Sequence, residues 1–353
     1  MSDRVTIVCV PRERFDYTLE SIASLYEKTT VPFDLVYVDN AVPAAVRRLL
    51  RAEAGRRGFT LVRAPYPLPP NAARNLGLEH ARGRHVVFVD NDVVFDDGWL
   101  EALLACVAEN RATLAAPLVC QHGPHHTIVH CAGGEFMGAA QFERFRQQPL
   151  PVPGRPEARR WTMEEEIYLQ DHPIEDAGLD PIRVGFVEFH CFIVETAFLR
   201  AHGGFDPRLT ATKEYIDLAM TVARAGGSVW IEPRSRVTFL THPPQPVLKL
   251  SETPYFMLRW SDAWEYDSLK HLARKWGLVE NDYFTERYAR LGWRRRSELL
   301  TPISQVFRPL GKPVRKWVKR QLVRLEKPFN AYWTRRHAAR AARFADRFSG
   351  ERA

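Results

Sequence analysis

The sequence predicts an α/β protein with a mostly parallel sheet covered by helices, and three observations carry that expectation. From Val5 to Val89 the apolar patterns run strand, helix, strand, helix, strand, helix, strand, the order of a parallel sheet with both faces covered. Val86-Val87-Phe88-Val89 is a continuous apolar run between Gly83 and Asp90-Asn91-Asp92, and its shortness and β-branching favour a central strand over a helix. Polar loops follow the strands at Pro11-Arg12, Asp39-Asn40 and Asp90-Asn91-Asp92. Strand C-termini of this kind gather on one edge, where open α/β sheets bind ligands.

Taken in order, Val5 to Val10 is the first strand, broken by the polar loop Pro11-Arg12-Glu13-Arg14. Tyr17 to Tyr26 carries apolar residues at helical spacing (Leu19, Ile22, Ala23, Tyr26), with Thr18 available as a cap. Phe33 to Val38 is the second strand. Pro43 to Arg57 is a second helix with Val46, Leu49 and Leu50 facing inward, and Phe59 to Arg63 is a third short strand. The proline-rich loop Pro65 to Pro70 leads into Asn71-Ala72-Ala73-Arg74-Asn75, which opens a helix before the strand that ends at Asp90. A helix from Trp99 to about Asn110 and a strand around Leu114 to Val119 follow. Residues 141–181 are charged and proline-rich and read as an exposed insertion or lid. Arg183 to Val194 reads as one long strand interrupted near His190. Glu214 to Ala225 is an amphipathic helix ended by Gly226-Gly227, and Val229-Trp230-Ile231 and Val237 to Leu240 are strand segments leading to Thr241-His242-Pro243.

Several function classes are excluded. No G-x-G-x-x-G follows the first strand and no G-x-x-x-x-G-K-[ST] is present, which speaks against a dinucleotide-binding or P-loop protein. The five cysteines are odd in number and lack C-x-x-C spacing, which argues against a disulfide framework or a zinc cluster and fits a reducing cytoplasm. The N-terminus enters an apolar run directly and reads as a strand rather than a signal peptide. No stretch approaches the ~18 apolar residues a membrane span needs. His122, His125, His126 and His130 have no metal-ligand spacing and read as solvated loop histidines.

The formal charge of +8 is unevenly spread. From Arg290 onward there are 18 Lys and Arg against 4 Asp and Glu, so the residues before it are mildly acidic. In Lys312 to Lys327, Val314, Trp317, Val318, Leu322 and Leu325 share one helical face while Arg315, Lys316, Lys319, Arg320 and Arg324 cover the rest. A basic amphipathic helix with an interfacial Trp suits an anionic membrane surface; packing on the rest of the chain is the alternative. No nucleic-acid motif is present.

Taken alone, Asp90-Asn91-Asp92 is an acidic turn or a cap for the helix at Trp99. Its company changes that. Asp39 after the second strand, A-R-N-x-G at Ala73–Gly77, A-x-G-x-x-x-x-F-x-D-x-D from Ala81 to Asp92, Gly203-Gly204-Phe205-Asp206-Pro207, a Glu-x-x-Asp helix start at Glu214 and a strand ending near His242 occur in one order. That order resembles the GT-A glycosyltransferases, and within them the inverting family two, over roughly residues 4–245. The resemblance implies a GT-A fold: a catalytic domain over residues 1–245, with a nucleotide-sugar half (1–120) and an acceptor half (121–245) carrying the 141–181 insertion, followed by a helical basic region over 246–353.

The resemblance also implies roles. Asp92 becomes a metal ligand, with Asp90 beside it and His242 closing the coordination of Mn²⁺ or Mg²⁺. Such an ion neutralises the diphosphate leaving group as a Lewis acid. Asp39 becomes the acceptor for the base of a UDP-sugar, and Pro11, Arg12, Glu13, Asn71, Arg74 and Asn91 join Asp39 and Asp90 in the donor site. An inverting transfer needs one general base. Family members carry E-D-x-D at this helix start with the second residue as base, but Tyr215 stands there in this chain, so Glu214 is preferred and Asp217 is the second choice. The expected activity is transfer from a nucleotide-sugar donor to a hydroxyl of a glycan or lipid-linked acceptor, as in polysaccharide biosynthesis, in the cytoplasm or peripherally on the cytoplasmic face of the membrane. The alternatives are a scaffold that binds glycan or nucleotide without turnover, favoured by Tyr215, and a retaining enzyme.

Overall fold

The alternation expected from the sequence is present in a computed structural model that describes residues 4–152, 155–240 and 248–349. The first half runs β1 (Val5–Cys9), α1 (Thr18–Lys28), β2 (Phe33–Asp39), α2 (Ala44–Arg57), β3 (Thr60–Arg63), α3 (Pro70–Leu78), β4 (His85–Val89), β5 (Val93–Phe95), α4 (Trp99–Asn110) and β6 (Leu114–Gln121). Then come β7 (Ile128–Cys131), β8 (Gly134–Glu135), α5 (Ala139–Arg146), β9 (Glu166–Ile167), β10 (Ile182–Val184), β11 (Cys191–Glu195), α6 (Thr196–Ala201), α7 (Glu214–Arg224) and β12 (Val229–Phe239). The C-terminal helices are α8 (Thr253–Arg259), α9 (Asp262–Trp276), α10 (Asp282–Ala289), α11 (Thr301–Gln305) and α12 (Lys312–Ser349).

The main sheet has the order β10-β12-β6-β11-β4-β1-β2-β3, with β5 added to β12 and β7 to β6. Strands β3, β2, β1 and β4 are mutually parallel, and Ile7 is in register with both Leu35 and Val87. Strand β11 is the antiparallel insert, pairing β4 on one side and β6 on the other. Alternate residues feed opposite cores: Val8, Val36, Val38, Val86 and Phe88 on one face, Ile7, Leu35, Tyr37, Val87 and Val89 on the other. This two-sided burial is why the strands read as unbroken apolar runs. Gly77 lets α3 lie against the sheet, since a Cβ there would sit 2.3 Å from Val8 Cγ1. That close seating sets the height of Arg74 and Asn71 over the strand ends.

Four expectations change. Arg183 to Val194 is two strands rather than one: β10 pairs β12 at the sheet edge while β11 lies between β4 and β6. Conversely, Val229 to Phe239 is one strand with an irregularity between Glu232 and Arg236. Leu49 is exposed on α2, and only Leu50 is buried there. The 141–181 insertion is anchored rather than free, because Phe145, Trp161 and Met163 share a core with Ile216 and Met220 of α7 and Leu272 and Trp276 of α9. The same core joins the helices after residue 246 to the acceptor half, so that boundary does not separate two cores.

The sense of α12 is also inverted relative to a packed amphipathic helix. Its buried positions are polar: Glu326 accepts from Arg295 Nε at 2.6 Å, and Asn330 Nδ2 donates to Met257 O at 2.7 Å. Val314, Trp317, Leu325, Phe329 and Tyr332 are exposed. Packing on the rest of the chain therefore uses the polar face and leaves the apolar one outward.

Candidate active site

The loop between β1 and α1 is held over the acidic strand end by one side chain. Asn91 Oδ1 accepts from Arg12 N at 3.2 Å, and Asn91 Nδ2 donates to Glu13 O at 3.0 Å and Arg14 O at 3.3 Å. Asn91 thus positions the loop and is buried beneath it. The loop delivers two guanidiniums to the two carboxylates: Arg12 donates to Asp90 Oδ2, and Arg14 Nη1 donates to Asp92 Oδ2 at 3.2 Å. Burial pushes Asp92 up to about 7, with the neighbouring Asp90 adding to it and Arg14 opposing it. Burial acts on Asp90 as well, but Arg12 and the His190 ring outweigh it and hold Asp90 below the usual carboxylate range. Buried carboxylates this close demand positive charge, and the arginines supply it here.

A cavity of about 370 Å³ opens above this pair. Arg12, Glu13, His190, Glu214, Tyr215 and Trp260 are among its walls. Glu214 is the first residue of α7, buried, and Arg74 Nη1 and Arg259 Nη2 each stand 3.7 Å from its Oε1. That oxygen has no hydrogen-bond partner. An acid at a helix N-terminus is favoured by the helix dipole. Here two guanidiniums also stand beside it and one oxygen lacks a donor at the wall of the cavity, where it can accept a hydrogen bond.

Asp217, one turn along α7, has a different job. Its Oδ1 accepts from Trp276 Nε1 at 2.6 Å, and Lys275 Nζ is 2.7 Å from the same oxygen and 2.9 Å from Oδ2. Both oxygens are taken up in tying α7 to α9, and the residue borders a second cavity that Glu214, Asp206 and Lys275 also line. Asp217, the second choice for the base, is thus placed in a tie between two helices. Tyr215 lies beside the main cavity, where its hydroxyl donates to Glu165 and accepts from Lys213 Nζ at 2.8 Å. Glu165 also takes Lys213 Nζ at 2.6 Å and Arg287 Nη2 at 2.7 Å, and though burial raises it, these partners bring it down to about 2. The position where the resemblance leads to the expectation of an acid is therefore a tyrosine in a saturated network.

The other expected donor-site residues are packed behind the cavity. Asp39 is buried at the end of β2 with Oδ2 accepting from Arg47 Nε at 2.6 Å, while Oδ1 has no partner. Asn71 Nδ2 donates to Asp206 O at 2.9 Å and its Oδ1 accepts from Arg74 Nη1 at 3.0 Å, so Asn71 braces Arg74. Arg74 lies over the Phe189 ring at 4.7 Å, and burial lowers it to about 10. Gly204 is required beside α3, because a Cβ would fall 2.6 Å from Asn75 Oδ1, the atom that accepts from Phe205 N. Pro11 is buried at the turn out of β1. His242 lies outside the described residues.

Sequence reasoning missed several walls of the cavity. Arg259 and Trp260 come from α8 and the turn after it, and Trp260 Nε1 donates to Glu13 Oε2 at 3.1 Å. Arg294 Nη2 donates to the other Glu13 oxygen at 3.2 Å. Burial raises Glu13, but Arg294 and Arg14 bring it down to about 2. His130, read as a solvated loop residue, is half-buried, with Nε2 3.0 Å from Glu188 Oε2. The pair Glu188 and His190, two apart in a strand-like run, was the available signal for that cluster.

Residues 6–161 match the sequence model described as glycosyl transferase family 2. Polypeptide N-acetylgalactosaminyltransferase 15 of Mus musculus is 24% identical over 284 residues, 77% of this chain and 42% of its own length. Pre-mycofactocin glycosyltransferase of Mycobacterium tuberculosis is 27% identical over 169 residues, 48% of this chain and 29% of its own. The chain spans less than half the length of these curated relatives. Among solved structures, GalNAc-T7 with UDP, GalNAc and Mn²⁺ has a TM-score of 0.51 at 14% identity, covering 86% of this chain and 57% of that one. At that identity the likeness bears on the fold.

Proposed function

We propose, for a chain that belongs to the family 2 glycosyltransferases of the GT-A fold, an inverting transfer of a sugar from a UDP-sugar to a hydroxyl of a glycan or lipid-linked acceptor. The observation that carries the reading is Glu214: a buried carboxylate with an unpartnered oxygen at the wall of a cavity whose floor is the Arg12–Asp90 and Arg14–Asp92 strand end. Glu214 takes the proton of the acceptor hydroxyl as its oxygen bonds to the anomeric carbon. The bond from that carbon to the diphosphate oxygen breaks, and UDP leaves with the negative charge. Arg12, Arg14 and Arg259 supply positive charge where it develops. Asp39 Oδ1, a buried acceptor without a donor, suits the N–H of a uracil ring.

The donor set at the strand end fits a divalent cation. Asp90 and Asp92 offer hard carboxylate oxygens, and the guanidiniums now beside them show that the pair accommodates positive charge. Mn²⁺ or Mg²⁺ held by Asp92 and Asp90, with His242 as a further ligand, would supply Lewis-acid neutralisation of the diphosphate. UDP release from a panel of UDP-sugars, with Mn²⁺ or chelator, tests the reading. Turnover that survives both chelation and Asp92→Asn would remove the metal from it.

A second reading, a scaffold that binds nucleotide or glycan without turnover, is favoured by Tyr215 and its saturated network. Calorimetric UDP binding with no transfer to any acceptor of a broad panel would support it. The outward apolar stripe of α12, flanked by exposed Lys316, Arg320, Arg324 and Lys327, further supports peripheral attachment to an anionic lipid surface, on the cytoplasmic face of the membrane.

A further inference from the structure

Beside the acidic strand end, but apart from it, three acceptor groups converge on one point. Strand β11 pairs with β6 at Leu114–Ala115 and β7 pairs with β6 at Val119–Gln121, so the two strands meet end to end along β6. His130 near the end of β7 and Glu188 and His190 ahead of β11 are thereby brought together. One ligand atom from each lies within 4.8 Å of the others, and all three residues line the main cavity.

The hydrogen bonds around the rings fix which nitrogen carries the proton. Gln121 Nε2 donates to Asp171 Oδ1 at 2.5 Å, which leaves Gln121 Oε1, an acceptor, 3.1 Å from His130 Nδ1. His130 Nδ1 must then be the N–H. His190 Nδ1 faces Asp90 Oδ2 at 3.2 Å, so it too carries the proton. Both Nε2 lone pairs are left aimed at Glu188 Oε2, at 3.0 Å and 3.6 Å, and that buried oxygen has no hydrogen-bond donor. Two imidazole lone pairs and a carboxylate oxygen repel one another unless a proton or a metal ion lies among them.

We propose that His130, Glu188 and His190 form a binding site for a first-row divalent transition ion, separate from the Asp90–Asp92 carboxylates. Two imidazoles and one carboxylate are a common three-residue set for Zn²⁺, Co²⁺ or Mn²⁺ and a poor one for Mg²⁺, which takes oxygen ligands and keeps its waters. Nδ1–H bonds to Gln121 and Asp90 are the outer contacts that orient metal-binding imidazoles. The open coordination position faces the cavity, where an oxygen of a bound ligand can occupy it.

The test uses the full chain stripped of metal, titrated with Co²⁺ and read by visible d–d absorption, with Zn²⁺ as competitor and circular dichroism as the folding control. One Co²⁺ per chain with a low-coordinate visible band is expected, displaced by Zn²⁺. It should be weakened at least tenfold in His130→Gln and Glu188→Gln, weakened in Gln121→Leu by roughly 10-fold or more through loss of the outer contact, and retained in Asp92→Asn. A second equivalent removed by Asp92→Asn alone leaves the assignment standing. A band lost in Asp92→Asn but kept in folded His130→Gln and Glu188→Gln overturns it. So does the absence of Co²⁺ binding by the folded wild type, which would mean that protons on the imidazoles, not a metal, offset Glu188. No donor or acceptor enters this assay, so its outcome is independent of the transfer reaction.

Discussion

Glu214 and Asp217 are one helical turn apart and both buried, yet the structure assigns them separable effects. Asp217→Ala removes the 2.7 Å contact with Lys275 and the 2.6 Å bond from Trp276 Nε1, leaving a buried indole N–H without its acceptor and Lys275 with Asp206 alone. Leaving that buried donor unsatisfied costs about 1.5–3 kcal/mol. With an unfolding entropy of roughly 2.1 cal/mol/K per residue and 353 residues, that is a fall in Tm of about 2–4 °C. Turnover per folded molecule should stay within about threefold of wild type, because Asp217 does not line the cavity over the strand end, although both residues border the neighbouring one. Glu214→Gln also destabilises, since Arg74 and Arg259 lose their shared counter-charge, but its kcat should drop about 10²–10⁴-fold as a lost general base does. UDP release at a temperature below both melting points, normalised to folded protein, separates the two. A hundredfold loss of kcat in Asp217→Ala at an unchanged Tm would refute the assignment, and so would full activity in Glu214→Gln.

Three further outcomes are expected. Gly77→Ala places a Cβ 2.3 Å from Val8 Cγ1 and should cost about 1–3 kcal/mol in chemical denaturation; a neutral result would mean α3 can lift off β1. Glu252 is raised to about 7, chiefly by burial and then by Asp16. Its folded value lies above the unfolded one, so its contribution is full below about pH 4 and lost as pH rises through 7, and Glu252→Gln should raise stability at pH 8 by on the order of 1–3 kcal/mol with little effect at pH 4. An equal gain at both pH values would show that the proton is not involved. Trp317→Asp with Phe329→Asp should abolish binding to anionic vesicles while leaving Tm unchanged, since both side chains are exposed; vesicle binding that persists removes the membrane role of α12.

Strands β1 to β4 and the acids at their ends were legible because their signals are local: an apolar run, a break, a polar loop. What the sequence concealed is set by partners distant in the chain. Arg183 to Val194 has uniform strand character, and only the competition between β12 and β4 for its two ends divides it. The apolar face of α12 reads as a membrane-facing stripe with packing as the alternative, and the pairs that fix which face packs, Arg295 with Glu326 and Asn330 with Met257, lie far apart in the chain. Asp217 has the residue type and spacing of a catalytic acid, and nothing near it in sequence announces Lys275 and Trp276. Trp260, Arg259 and Arg294 enter the site from helices that follow it by scores of residues, so no local motif could contain them.

The charge arrangement around the cavity has a consequence for how the donor enters. Arg12, Arg14, Arg74, Arg259 and Arg294 are engaged with Asp90, Asp92, Glu214, Glu13 and Glu298, five guanidiniums against five carboxylates. Glu214 is shared by two of the arginines, while Asp90 and Asp92 each hold one. A diphosphate brought in alone would have to draw Arg12 or Arg14 away from a buried carboxylate, which is costly. Brought in with a divalent cation, it arrives with the charge that Asp90 and Asp92 need, and the arginines become free to meet phosphate oxygens. UDP affinity should therefore rise steeply with added Mn²⁺ in the wild type and far less in Asp92→Asn, where Arg14 has already lost its carboxylate. Equal metal enhancement of UDP binding in the two proteins would show that the cation acts somewhere other than the strand end.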